Sequence, residues 1–133
     1  ENSYGLYIDI DGFKRINDKF GHHSGDQFIK DIANYFISKW EQNVIYYRLG
    51  GDEFFVYVYD HSTDEVIKRA NQLIHDISHL TEHARICHVS ASIGIVPINP
   101  KTRDYYTLLD IGDQTMYASK NKGPGIVTLL NNI

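Results

Sequence analysis

Apolar residues recur along this chain at two spacings, and the change from one to the other divides it into elements. Tyr4 to Ile10 is a short, largely apolar run closed by Asp11-Gly12, which predicts a buried strand entering a loop. From Ser24 onward, Phe28, Ile29, Ile32, Ala33, Phe36, Ile37 and Trp40 fall three and four residues apart, the pattern of a helix with one face on a core. Val44 to Leu49 and Phe54 to Tyr59 are β-branched and aromatic runs joined by Gly50-Gly51-Asp52-Glu53, which predicts a hairpin because glycine tolerates the positive φ of tight turns. Ser62 with Glu65 fits a capping box, and Val66, Ile67, Ala70, Leu73, Ile74, Ile77 and Leu80 continue a second helical stripe. Ile86 to Ile98 reads as a strand, punctuated by Gly94 and ended near Pro97 and Pro100. A third helix over about Tyr105 to Lys120 is stopped by Gly123-Pro124-Gly125, and Ile126 to Leu130 forms a short terminal strand.

The order βαββαβ followed by αβ predicts an α+β fold: a ferredoxin-like palm with helices on one face of a mainly antiparallel sheet and an extra C-terminal α-β unit. A doubly wound parallel sheet is disfavoured, because the central hairpin joins its strands too tightly for a crossover helix. The 133 residues, with no repeat, linker or low-complexity stretch, are the size of one domain spanning 1–133. A hydrophobic share of 42% and a charged share of 23% fit an ordinary globular chain and predict neither disorder nor a membrane span. The net charge of -4 argues against a nucleic-acid partner, so any bound phosphate needs a local device. Cys87 is the single cysteine, which excludes an internal disulfide, and no apolar leader precedes the first strand; the expected setting is the cytoplasm. The chain opens on Glu1-Asn2-Ser3 without a methionine, as a piece of a longer protein would.

If the first strand lies beside the hairpin, Asp9 and Asp11 come near the turn carrying Asp52 and Glu53. Clustered carboxylates raise one another's pKa, and a hard divalent cation relieves the conflict; an all-oxygen donor set suits Mg²⁺ (or Mn²⁺) rather than Zn²⁺. The competing account is that Asp-Gly and Gly-Asp pairs are turn formers only. Gly12-Phe13-Lys14 opens a short helical turn through Asn17, whose amides and lysine suit an anion, against the plainer account of a solvated lysine. His75, His79 and His83, four residues apart, could ligate zinc, but a helix end favours imidazolium and no further ligand completes a set. Tyr46, Tyr47, Tyr57 and Tyr59 read as cross-strand pairs more readily than as a base-stacking surface, and Cys87 as a packed strand residue.

Five segments together resemble the signature blocks of the GGDEF family. They are Leu6-Tyr7-Ile8-Asp9-Ile10-Asp11-Gly12-Phe13-Lys14-Arg15-Ile16-Asn17-Asp18, Gly21-His22-His23-Ser24-Gly25-Asp26, Arg48-Leu49-Gly50-Gly51-Asp52-Glu53-Phe54, Val89 to Ile95, and Asp113 to Lys120. The resemblance implies a diguanylate cyclase, which condenses two GTP molecules held on two facing domains into cyclic di-GMP and pyrophosphate. It implies that Asp9, the carbonyl of Ile10 and Asp52 hold Mg²⁺, with Glu53 beside them, and that Asp52 or Glu53 takes the proton of the attacking hydroxyl. It places substrate at Gly12, Phe13, Lys14, Asn17, Asp26, Gly50, Gly51 and Lys120. Asn17 and Asp26 match guanine-binding positions, and a carboxylate accepting both N–H donors of guanine's Watson-Crick edge discriminates against adenine. Without the family, Asn17 reads as a helix cap, Asp26 as an acid at a helix N-terminus, Lys120 as a last-turn cation, and Arg48 as the holder of a neighbouring acid.

The chain departs from the family pattern in three places. The product-inhibition motif Arg-x-x-Asp is replaced at its two positions by Glu41 and Val44, which predicts no feedback through it. Pro124 stands where the family has a phosphate-contacting arginine. An upstream block of the form Asp-x-Leu-Thr-Gly-Leu-x-Asn-Arg is expected ahead of the first strand. The rival readings are a non-cyclising GTP-binding regulatory domain fused to a phosphodiesterase or other output, and a structural dimerisation module.

Overall fold

The computed structural model describes residues 2–40 and 43–130. Among the described residues ten elements follow one another: β1 (Ser3–Asp11), α1 (Phe13–Phe20), α2 (His22–Lys39), β2 (Val44–Gly50), β3 (Glu53–Tyr59), α3 (Thr63–Ser78), α4 (Glu82–Ile86), β4 (Ser90–Pro97), α5 (Tyr105–Asn121) and β5 (Val127–Leu129). The strands form one sheet in the order β2-β3-β1-β4-β5, antiparallel except for the parallel β4–β5 pair. The predicted α+β palm is present, with β1 at its centre.

Strand periodicity splits the core in two. Leu6, Ile8 and Ile10 of β1, Phe54, Val56 and Val58 of β3, and Ala91, Ile93 and Ile95 of β4 pack in one cluster with Phe28, Ile32 and Phe36 of α2 and Val66, Leu73 and Ile77 of α3. The alternate residues Tyr7, Phe55 and Val96 pack in a second cluster with Leu108 and Met116 of α5. The helices are therefore not all on one face, as the sequence pattern suggested; α5 covers the opposite side. Gly94 permits this: an added Cβ there would lie 2.4 Å from the Met116 backbone nitrogen.

The predicted capping box is intact, with Glu65 N to Ser62 Oγ at 3.1 Å and Ser62 N to Glu65 Oε1 at 2.7 Å. The strand expected from Ile86 starts only at Ser90. Thr81 accepts from Ala84 N and nucleates α4, so Ile86 ends a helix, and buried Cys87 is its C-terminal cap and no strand residue. At the hairpin the β2–β3 register shifts between Arg48 and Gly50, and Gly51 takes a left-handed φ of 50°. Arg48 Nε donates to the Gly51 carbonyl at 2.8 Å, so this arginine braces the turn and not an acid as expected. Among the described residues, no helix is long and apolar enough to cross a membrane.

Candidate active site

The alternation that places Tyr7 on the α5 face also places Asp9 and Asp11 there, at the C-terminal end of β1. Asp9 pairs in register with Glu53 on one side and Ser92 on the other. Asp52 precedes β3, and its carbonyl accepts from Ile10 N at 2.9 Å, which ties the turn to the end of β1. Three of the four expected acids thus meet through backbone pairing, and Asp11 follows on the same strand face.

Asp9 is 4% exposed, and Lys120 of α5 donates to its Oδ2. The same ammonium stands 3.7 Å from Asp11 Oδ1, while Asp11 Oδ2 accepts from Ser92 Oγ at 3.0 Å. Burial pushes the Asp9 carboxyl above the usual carboxylate range; the Lys120 bond opposes this and the charge of Asp52 reinforces it. Glu53 also moves up, first through burial, with the Tyr7 bond opposing and Asp9, Asp113 and Asp52 adding to the rise. Lys120 is raised by its bond to Asp9 and by the fields of Asp9, Asp11 and Asp52, against partial burial. Tyr7 OH donates to Glu53 Oε1 at 3.0 Å, and its own pKa rises through burial and that bond.

These residues fit a hard divalent ion. The available donors are carboxylate and carbonyl oxygens, and a cationic side chain already lies between Asp9 and Asp11 as a stand-in. Among the described residues no three His, Cys, Asp or Glu side chains form a ready-made metal group. Mg²⁺ is commonly held by one or two carboxylates plus substrate phosphates and not by an all-protein cage. Asp9, Asp52 and the Ile10 carbonyl are the groups that would hold it.

The second part of the site lies where α1 meets α2. Asn17 sits in the middle of α1 and packs on Gly25, where an added Cβ would stand 1.8 Å from Asn17 Oδ1. That oxygen is buried with no partner, an orphan of the kind that costs about 1–3 kcal/mol. Asp26 follows Gly25 directly and is exposed. Neither residue plays the plain role open to it: Gly12 and Gly21 are the N-caps, and the first turn of α2 holds no acid. Gly12 takes φ 94°, which turns the chain from β1 into α1. Phe13 begins that helix, but Lys14 points away to an exposed pair with Asp18 at 2.9 Å. The next cation, Arg15, pins α1 to the carbonyls of Cys87 and His88, at 2.8 and 3.1 Å.

Tyr7, Ser92 and Asp113 are site residues that sequence reasoning passed over. Tyr7 was detectable as the strand position two before Asp9, and Asp113 as the residue two helical turns before Lys120. Ser92 required the β1–β4 register. The histidine series is broken: the His75 and His79 rings lie 4.5 Å apart, but His83 is on α4, stacked on Phe20 at 3.8 Å. The tyrosines are not directly opposed. Tyr46 faces Val56 in the register and stacks on Phe36, while Tyr47 and Tyr57 meet diagonally on the other face, 6.4 Å apart. Glu41 lies outside the described residues; Val44 begins β2, and Pro124 is exposed between α5 and β5.

The profile of the family described as "Diguanylate cyclase, GGDEF domain" matches residues 2–125. The chain is 35% identical over 117 residues to the diguanylate cyclase DgcP of Escherichia coli K12, covering 86% of this chain and 34% of that protein. It is 32% identical over 126 residues to a protein of the same organism named "Probable diguanylate cyclase DgcE", covering 93% of this chain and 11% of that one. The chain thus spans about a tenth to a third of the length of these curated relatives. The GGDEF domain of YfiN (TpbB) from Pseudomonas aeruginosa superposes with a TM-score of 0.82 at 29% identity, over 100% of this chain and 84% of that one.

Proposed function

This chain belongs to the GGDEF family of diguanylate cyclases, and from that premise we propose that it is a working half-site, condensing two GTP molecules into cyclic di-GMP when two copies face one another. The observation that carries the proposal is the pairing of buried Asp9 with Glu53 across β1 and β3, with Asp52 tied to Ile10 beside them. A scaffold has no need of acids placed so that Asp52 raises the Asp9 carboxyl and Asp9 raises that of Glu53.

Asp9, Asp52 and the Ile10 carbonyl would hold Mg²⁺, or Mn²⁺ in its place. Such an ion, when bound, screens the triphosphate and stabilises charge on the departing pyrophosphate. The remaining steps fall to the chain. Asn17 and Asp26 take the guanine, and the buried acceptor of Asn17 recovers its lost hydrogen bond from a base N–H. Gly12 and Phe13 form the turn beneath the phosphates, and Gly50 and Gly51 keep the hairpin tip slim enough for a second nucleotide to approach. In each half-reaction a 3′-hydroxyl bonds to the other nucleotide's α-phosphorus, the α–β anhydride breaks, and Asp52 or Glu53 accepts the hydroxyl proton. Glu53 is the better placed to act as base: Tyr7 fixes its Oε1, and burial keeps its proton affinity above that of a solvated acid.

Incubation with GTP and Mg²⁺, followed by chromatography of the nucleotides, tests this reading. Cyclic di-GMP that disappears in Asp52→Ala supports it. One feature favours a second reading, a GTP-binding regulatory domain of a longer protein: Pro124 replaces a cation at the phosphate end. GTP binding without product would select that reading.

A further inference from the structure

We propose that Lys120 is the resident cation of the nucleotide-free site, and that its ammonium must leave Asp9 before a divalent ion can bind there. The inference rests on the reading of Asp9 as an ion ligand. Three observations support it. The Lys120 ammonium bonds Asp9 Oδ2 and stands 3.7 Å from Asp11 Oδ1, the span a bridging cation would occupy. Asp9 is buried, so its charge is costly unless a cation stays close, whereas the Lys120 side chain is 47% exposed and free to swing outward. Lys120 is also carried by α5, a different element from those bearing the acids, so it can withdraw without disturbing the β1–β3 register.

The exchange has a thermodynamic consequence. A divalent ion arriving alone displaces the ammonium into water and gains only the difference between two cations on one carboxylate. An ion arriving with a triphosphate leaves the displaced ammonium a new anionic partner. Ion and nucleotide should therefore each tighten the binding of the other, and the coupling should run through Lys120. Such a lysine keeps the acids neutralised at rest and suppresses occupation by a metal ion without substrate.

The test uses the chain as it stands, with free Mn²⁺ followed by electron paramagnetic resonance and no nucleotide present. Lys120→Met should bind Mn²⁺ about fivefold or more tightly than the unaltered chain, and the double variant Lys120→Met/Asp9→Asn should lose that gain. Lys120→Arg, which keeps the charge, should bind like the unaltered chain. Repeating the titration with the α,β-methylene analogue of GTP should tighten Mn²⁺ binding in the unaltered chain more than in Lys120→Met. Should Lys120→Met fail to fold by circular dichroism, Lys120→Gln takes its place. Mn²⁺ affinity that is equal or lower in the neutral variants, or no Mn²⁺ binding in any of them, overturns the proposal. A tighter-binding Lys120→Met in a chain that makes no cyclic di-GMP would refute the proposed activity and leave this inference standing.

Discussion

The Tyr7 hydroxyl reaches across from β1 to donate to Glu53 Oε1 at 3.0 Å, so the acid at the tip of β3 is held by a residue of the neighbouring strand. Under the proposed activity, that bond leaves Glu53 Oε2 as the oxygen that would take the substrate proton. Tyr7→Phe keeps the ring packed edge-on to Phe55 and removes only the hydroxyl. A lost bond to a carboxylate is worth about 1.5–3 kcal/mol, which corresponds to a fall of roughly 10- to 100-fold in kcat with KM for GTP little changed. Steady-state kinetics on the variant checks this, and an unchanged kcat would show that Tyr7 does not position Glu53.

Glu53→Gln should make the protein more stable while making it less active. Burial, with Asp9, Asp113 and Asp52 reinforcing it, raises the Glu53 carboxyl. A carboxyl raised in the folded state contributes fully below its unfolded pKa, and that contribution is lost as pH rises through the folded value. At pH 7.5 the ionised glutamate is therefore a cost that glutamine removes. Glu53 is only partly buried, so solvent screening limits the gain to less than about 1 kcal/mol, a rise of about 2–5 °C in Tm. Thermal melts at pH 7.5 and pH 4 should show that advantage only at the higher pH; an equal advantage at both would mean that the acid's charge is not its source.

Gly25→Ala tests the proposed guanine contact of Asn17 separately from the fold. Alanine is the better helix former by about 1 kcal/mol, so α2 itself gains. Its Cβ, however, would stand 1.8 Å from Asn17 Oδ1 and must expel that side chain. The expected outcome is a Tm within a few degrees of the parent and an affinity for a GTP analogue lower by about tenfold, measured by calorimetry. Unchanged affinity would remove Asn17 from the base-binding site.

How much of this could be read beforehand depended on whether a residue's role is local. The hairpin at Gly50-Gly51, the Ser62 capping box and the stripe of Phe28, Ile32 and Phe36 follow from turn geometry, capping and helical periodicity, all short-range, and they stand where the sequence placed them. The start of β4 was missed because the Thr81 cap opens a helical turn that runs through Ile86, and a turn at Cys87 and His88, where His88 takes φ 53°, delays the strand to Ser90; apolar periodicity signals neither. The acids at Asp9, Asp52 and Glu53 and the cation Lys120 were legible as motifs, whereas the partners Tyr7 and Ser92 and the bond from Lys120 to Asp9 depended on register and on which face α5 chose. Gly94 settles that choice, and a single glycine in a strand does not announce what packs on it.

Product feedback is expected to be absent. Val44, at the start of β2, is half-buried and apolar, and cannot accept the hydrogen bonds that the family's aspartate makes there. Glu41, outside the described residues, brings a negative charge where an arginine would meet phosphate. Cyclic di-GMP titrated into the chain by calorimetry should show no binding in the micromolar range, and turnover should not slow as product accumulates. Tight binding would place an inhibitory site elsewhere on the surface.

Gly94→Ala tests whether the seating of α5 governs the acid cluster. The added Cβ would meet Met116 N at 2.4 Å, the Thr115 carbonyl carbon at 2.7 Å and Met116 Cα at 2.9 Å, all backbone atoms that cannot swing aside. The helix must lift from β4, and overpacking of this kind costs typically about 1–3 kcal/mol. Because α5 also carries Lys120 to Asp9 and Asp113 towards Glu53, the same movement disturbs the charges around both acids. Denaturant titration should show a lowered midpoint with an unchanged m-value, and kcat per folded molecule should fall as well. A variant that loses stability but keeps full turnover would show that α5 only covers the sheet and does not set the geometry of the site.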